Sequence, residues 1–150
     1  AIVQASIPVM ARLGLTPQSV NALGGYKVQG KSAEDAQRLV DDARKLEDAG
    51  AFAILLECVP AALAAFVRER VSVPVIGIGS GAGCDGQVLV YQDMLGMYDK
   101  MTPKFVKRFA SIGDAMKQAF AAYVEEVKTG RFPAEEHAFS MKDEIIGKLY

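Results

Sequence analysis

Residues 52–60 read FAILLECVP: Phe52, an apolar run from Ala53 to Leu56, a single carboxylate at Glu57, then Cys58, Val59 and Pro60. A run this short, rich in Ile and Leu and closed by a proline, reads as a buried strand. It shows no apolar–polar alternation, which is the pattern of a parallel strand covered on both faces. Glu57 stands where that strand ends. An acid there either begins a loop and faces water, or is held against apolar walls. In the second case ionisation is disfavoured, and the carboxyl becomes a usable general base near neutral pH.

The segments on either side repeat the pattern. Upstream, Ser32 stands as a helix cap with Asp35 three residues on, and Ala36, Leu39, Val40, Ala43 and Leu46 recur at helical spacing before Gly50. Downstream, Pro60 suits the first turn of a short helix, PAALAAFVRER. Three further strands are expected, in SIPVMARLGL, VPVIGIGSG and GQVLVYQ. Between the first strand and the first helix lies TPQSVNALGGYKVQGKS, whose glycines forbid a long regular element. From Pro103 an apolar stripe through Phe105, Val106, Phe109, Ile112, Met116, Phe120, Tyr123 and Val127 predicts a long helix, interrupted near Gly113. The tail ends in a second, short helix. Strands alternating with helices make an α/β fold on a parallel sheet, and both forms of that architecture, closed barrel and open sheet, put their chemistry at the carboxyl ends of the strands. Glu57 lies at such an end.

Composition bounds the remaining possibilities. The chain has 150 residues, 51% hydrophobic and 23% charged, with a formal net charge of −1. This is enough for one domain, residues 1–150, with a real core. No basic footprint for nucleic acid and no long acidic solvating run stands out. No apolar stretch reaches the roughly 18 residues that span a bilayer. The opening AIVQASIPVM lacks a charged n-region, so it does not read as a signal peptide; its apolar pattern is already running at Ile2 and Val3, as in a fragment. Cys58 and Cys84 lack metal-ligand spacing and read as reduced thiols, which points to the cytoplasm.

Other candidates carry less. In GIGSGAGCDGQ the glycines alternate around Ser80 and a strand follows, so the dinucleotide pattern is not met; these glycines let strand ends or a ligand approach the backbone. Lys27 and Lys31 lie in a polar loop and read as solvated, with anion binding as the alternative. His137, in an acidic tail beside Glu135 and Glu136, reads as a surface residue. Asp85 and Asp93 read as loop and turn acids, too isolated to form a metal site.

Four long motifs nevertheless occur in order: GLTPQSVNALGGYKVQGK, ILLECVP, PVIGIGSGAGCDGQVLV with DMLGM, and TPKFVKRF followed by YVEEVKTGRFPAEEHAF. Together they resemble the ketopantoate hydroxymethyltransferases of pantothenate biosynthesis, from about Ile7 to Phe139. The resemblance implies a (β/α)8 TIM barrel, of which this chain covers strands five to eight and the C-terminal helices. It implies transfer of a hydroxymethyl group from 5,10-methylenetetrahydrofolate to the keto acid α-ketoisovalerate, giving ketopantoate. In that family a Mg2+ ion chelates the keto acid and stabilises the enolate left when a base removes the C3 proton. The base is the Glu of LECVP, here Glu57.

The resemblance reaches only the family's second half. It therefore implies that the Mg2+ ligands, and the Ser and Lys that hold the keto acid, lie in a first half. It implies a homo-oligomer, in the family a decamer, or a complementary first-half chain as partner. The alternative is a non-catalytic half-barrel that associates with itself. One position departs from the pattern. Where the family has a substrate-contacting His in GH-x-G-x-TPQ, this chain reads ARLGLTPQ, with Arg12 in that place and Ala11 for the glycine. Arg12 ends the first strand and is expected to point to the same mouth as Glu57. There it either pairs with that carboxylate or clamps a substrate anion; pairing is the favoured expectation.

Overall fold

The computed structural model describes residues 1–149. Its centre is a four-stranded parallel sheet in the order β1-β2-β3-β4, formed by Met10–Gly14, Ala53–Glu57, Val75–Ile78 and Gly86–Gln87. Helix α1, Ala33–Asp48, connects β1 to β2, and α2, Ala61–Arg68, connects β2 to β3. After β4 come α3, Tyr91–Met94, then α4, Ile112–Lys128, and α5, Asp143–Ile146.

Local chemistry sets these boundaries. The Asp35 amide donates to Ser32 Oγ at 3.1 Å, and the Ser32 hydroxyl donates in turn to the Asp35 carboxylate at 2.7 Å. This satisfies an amide that the first turn of α1 would otherwise leave without a partner. Glu34 and Asp35 sit in the first turn of α1 and Lys45 in its last, the arrangement that suits the helix dipole. The chain leaves the helix through Gly50, whose φ of +92° a side chain would resist. Pro60 stands one residue ahead of α2 as its cap.

Strand register sorts side chains to two faces. Ala11 and Leu13 of β1, Ile54 and Leu56 of β2, and Val75 of β3 point to the side where α1 and α2 lie. Leu39, Val40 and Ala43 of α1 and Ala64 and Val67 of α2 close that core. Ile54, Leu56, Val67 and Val75 are completely buried, each contributing about 1.5–3 kcal/mol by leaving water.

The opposite face carries Met10, Arg12, Leu55, Glu57, Ile76 and Ile78. The most extensive helix–sheet packing runs from α1 to β1 and β2, and on this face Met10 is 47% exposed. The continuous apolar strands led to an expectation of burial on both faces. In this chain helices cover one face, while the other is only partly covered, with Met10 exposed and Glu57 enclosed.

Two other expectations are corrected. The fourth strand was expected over GQVLVYQ but stops at Gln87, and Tyr91 and Gln92 belong to α3. The helix expected from Phe105 begins only at Ile112. The chain entering it runs back along the end of α3 and the turn after it: Phe109 N–H donates to the Met94 carbonyl at 2.8 Å, Ile112 N–H to Leu95 at 3.0 Å and Gly113 N–H to Gly96 at 3.1 Å. Gly113 is buried in that crossing, where a Cβ would sit 2.8 Å from the Gly96 carbonyl oxygen. Tertiary pairing there overrides the helical period. The apolar stripe of α4 faces solvent, with Phe120 63% and Tyr123 55% exposed.

Asp85 ties the ends of two elements together. Its carboxylate accepts from Arg68 Nε at 2.8 Å, at the end of α2, and from Val75 N–H at 3.0 Å, at the start of β3. The Val75 amide, then Arg68, hold the Asp85 carboxyl below its usual range. Its contribution to stability is therefore fully present above the ordinary aspartate value of about 4 and is lost as pH falls through the lowered native value. Asp85→Asn is expected to lower the urea midpoint at pH 7, and the gap from the parent should close as pH falls below about 4. A gap unchanged at pH 3 would show that the charge of Asp85 is not what stabilises this junction.

Candidate active site at the carboxyl ends of the strands

Parallel register brings the carboxyl ends of β1, β2 and β3 together, with Gly14 beside Glu57 and Glu57 beside Ile78. Glu57 is the last residue of β2, and the alternation that buries Leu56 in the core turns Glu57 to the open face. This answers why an acid follows the most apolar run: it lies on the other side of the sheet from that core. Backbone on both sides fixes it there. Leu15 N–H donates to the Glu57 carbonyl at 2.9 Å, and Cys58 N–H donates to the Ile78 carbonyl at 2.9 Å. Gly14, with φ of +88°, lets β1 pass close to this point, because a Cβ there would meet the Glu57 carbonyl oxygen and the Val59 side chain.

Arg12 lies on the same face, its register partner being Leu55, two residues before Glu57. Its guanidinium is ion-paired with the Glu57 carboxylate. The Glu57 side chain is 12% exposed and that of Arg12 36%, so the acid is enclosed and the base reaches toward water. Beside the pair is a hollow of about 350 Å³, walled largely by apolar groups that include Met10, Leu55, Ile78, Val88 and Val90. That is room for a small organic acid. Here the sheet offers one carboxylate, one guanidinium and an apolar wall, a set suited to binding an anion and moving one proton.

The chain then makes an unusual turn. Cys58 has φ of +51°, in the left-handed region that costs a side-chain-bearing residue free energy and that clusters at functional sites. Its carbonyl accepts from Gln29 N–H at 2.9 Å, which anchors the glycine-rich loop over the strand end. The Cys58 thiol is pushed up by burial, with the charge of Arg12 pulling the other way. Burial and then the Asp85 charge push up the Cys84 thiol. Both cysteines are free and neither is poised as a thiolate nucleophile.

The structure brings Arg12 and Glu57 together and leaves the other sequence candidates apart. His137 is exposed, its Nδ1 accepting from Ala134 N–H at 3.1 Å and its ring 5.0 Å from that of Phe132. Lys27 and Lys31 are exposed on the loop between β1 and α1, Asp85 serves the junction described above, and Asp93 lies in the short helix α3. Ser80, which the sequence shows only as an interruption among glycines, is completely buried behind the Cys58 turn. Nothing in its spacing signals that position. Among the described residues no helix is long and apolar enough to cross a membrane.

With this geometry in view, comparison with known proteins is decisive on family. The sequence pattern of ketopantoate hydroxymethyltransferase matches residues 1–135. The chain is 62% identical over all its 150 residues to the 3-methyl-2-oxobutanoate hydroxymethyltransferase of Clostridium novyi (strain NT), covering 54% of that protein. It is 61% identical over the same length to the protein of that name from Enterococcus faecalis (strain ATCC 700802 / V583), and 62% over 149 residues to that from Carboxydothermus hydrogenoformans (strain ATCC BAA-161 / DSM 6008 / Z-2901), again covering 54% of each. The chain thus spans about half the length of the curated relatives it matches. It belongs to the ketopantoate hydroxymethyltransferase family.

Proposed function

We propose that this member of the family supplies strands five to eight of a (β/α)8 barrel and, in Glu57, the general base of hydroxymethyl transfer to 3-methyl-2-oxobutanoate (α-ketoisovalerate). One observation carries the reading. Glu57 stands at the carboxyl end of a parallel strand, on the face away from the core, beside an apolar hollow of about 350 Å³. A carboxylate so placed takes the C3 proton of the keto acid. The carbon left behind takes the one-carbon unit of 5,10-methylenetetrahydrofolate and water supplies the hydroxyl, so that ketopantoate and tetrahydrofolate leave. Arg12 competes for Glu57 in the absence of substrate.

A magnesium ion does not fit the residues of this chain. Among the described residues no three acids, histidines or cysteines converge to hold a metal, and the Glu57 carboxylate is engaged by Arg12. The steps assigned to the chain are therefore proton removal and packing of the keto acid's apolar end. A metal site and the polar groups that hold the carboxylate and ketone are assigned to a first half.

The uncovered sheet supports that division. β1 and β4 each have one unpaired edge, and unpaired edges demand cover or a partner strand. The relatives' additional length, nearly equal to this chain, is enough to supply it. Co-expression with the first half of the Clostridium novyi relative is expected to give a stable complex that forms ketopantoate, and the chain alone is expected to form none. Halves that elute separately, with this chain a homo-oligomer lacking activity, would favour the non-catalytic, self-associating half-barrel.

A further inference from the structure

We propose that Ser80 is a positioning residue for Glu57, holding the strained turn that follows β2 from beneath. The proposal rests on the reading of Glu57 as the base. Ser80 is the buried polar residue of the core, with no exposed surface. Its hydroxyl donates to the Leu56 carbonyl at 2.8 Å and accepts from Val59 N–H at 3.3 Å. These two partners bracket Glu57 and Cys58. The hydroxyl therefore joins the residue before the carboxylate to the residue after the left-handed Cys58, across the segment where φ reaches +51°.

The motif around Ser80 is built to deliver that hydroxyl. Gly79 and Gly81 both have positive φ, +64° and +77°, so the backbone folds sharply on each side of the serine. A side chain at Gly79 would run into the Phe105 ring, and one at Gly81 into Ala61 at the start of α2. The loop is thus pressed between Phe105 and α2 with its one polar side chain turned inward. A left-handed conformation at a residue with a Cβ persists only where surrounding contacts fix it. Val59 N–H is buried with its residue, and without Ser80 it loses the acceptor that anchors the turn. Relaxation of Cys58 toward an ordinary φ would rotate the preceding peptide and swing the Glu57 side chain away from the hollow.

The test uses the complex of this chain with a first half. Ser80→Ala removes a single oxygen from a completely buried side chain and is expected to fold. It should lower kcat for C3–H exchange of α-ketoisovalerate about tenfold, the scale of a slightly misplaced catalytic group, and leave KM within about twofold. Hydrogen exchange should accelerate at the Val59 amide and remain unchanged in the centre of β2 and β3. Ser80→Thr, which retains the hydroxyl, should recover most of the rate. A Ser80→Ala complex with parental kcat, or one in which kcat and β-sheet protection fall together, would overturn the proposal. Failure of the base assignment is read separately, from full activity in Glu57→Gln, and leaves the Val59 exchange result standing as a statement about the turn.

Discussion

In a reconstituted barrel, Glu57→Gln is expected to abolish C3–H exchange of α-ketoisovalerate, by at least about a hundredfold, the lower range for loss of a general base. The substitution keeps shape and removes basicity. Glu57's fixed backbone bonds, to Leu15 and across to β3, do not involve its side chain. The Ile54 and Leu56 core lies on the other side of the sheet. Arg12 loses its partner, but with 36% of its side chain exposed it can be solvated. The variant should therefore remain folded, with its urea midpoint close to the parent's. Exchange of the C3 proton into deuterated buffer, followed by NMR, isolates this step from the folate half-reaction. Undiminished exchange would assign the base to another residue.

What could be read from the sequence and what could not divide along a physical line. The helix start at Ser32, the stop at Gly50 and the entry to α2 after Pro60 depend on side chains within a few residues, and all three were legible. Strand identity was legible too, because Ala53 to Leu56 is too short and too apolar for anything else. The place of Glu57 followed from its position at the end of that run. The features that failed or were missed depend on residues distant in the chain. Phe105 and Phe109 match a helical period, yet the backbone at Phe109 bonds to the last residue of α3 and the start of α4 to the turn behind it. The two-faced burial expected of a parallel sheet holds for a complete sheet with helices and a closed interior, whereas here the face that carries Arg12 and Glu57 is only partly covered and borders an open hollow. Ser80 meets Leu56 and Val59 across more than twenty residues of sequence, and no local pattern announces a hydroxyl aimed at another strand's turn. The left-handed Cys58 has no signature either, since glycine or asparagine is the usual occupant of that conformation.

Arg12→Ala and Arg12→His are expected to raise the exchange rate of the reconstituted barrel, by about tenfold where the carboxylate is released from a close positive charge. The ion pair found between Arg12 and Glu57 is the ground for this expectation. A guanidinium held against a carboxylate favours its ionised form and so weakens it as a base. Removing the charge makes the carboxylate easier to protonate, so the acid limb of the pH–rate profile should move to higher pH in both variants. A second probe lies beside the pair. The Cys58 thiol is raised by burial and lowered by Arg12, so its titration should climb further in Arg12→Ala even if turnover is too slow to follow. The opposing possibility is that Arg12 reaches past Glu57 to clamp the substrate's carboxylate in bidentate fashion. Both substitutions would then raise KM for the keto acid and leave the acid limb in place. The two readings differ in whether the rate rises or KM does, and in whether the limb moves, so one pH series on each variant decides between them. The pairing is not a surface ornament: with Glu57 only 12% exposed, a charge beside it is weakly screened, so removing the guanidinium is expected to be felt in the rate.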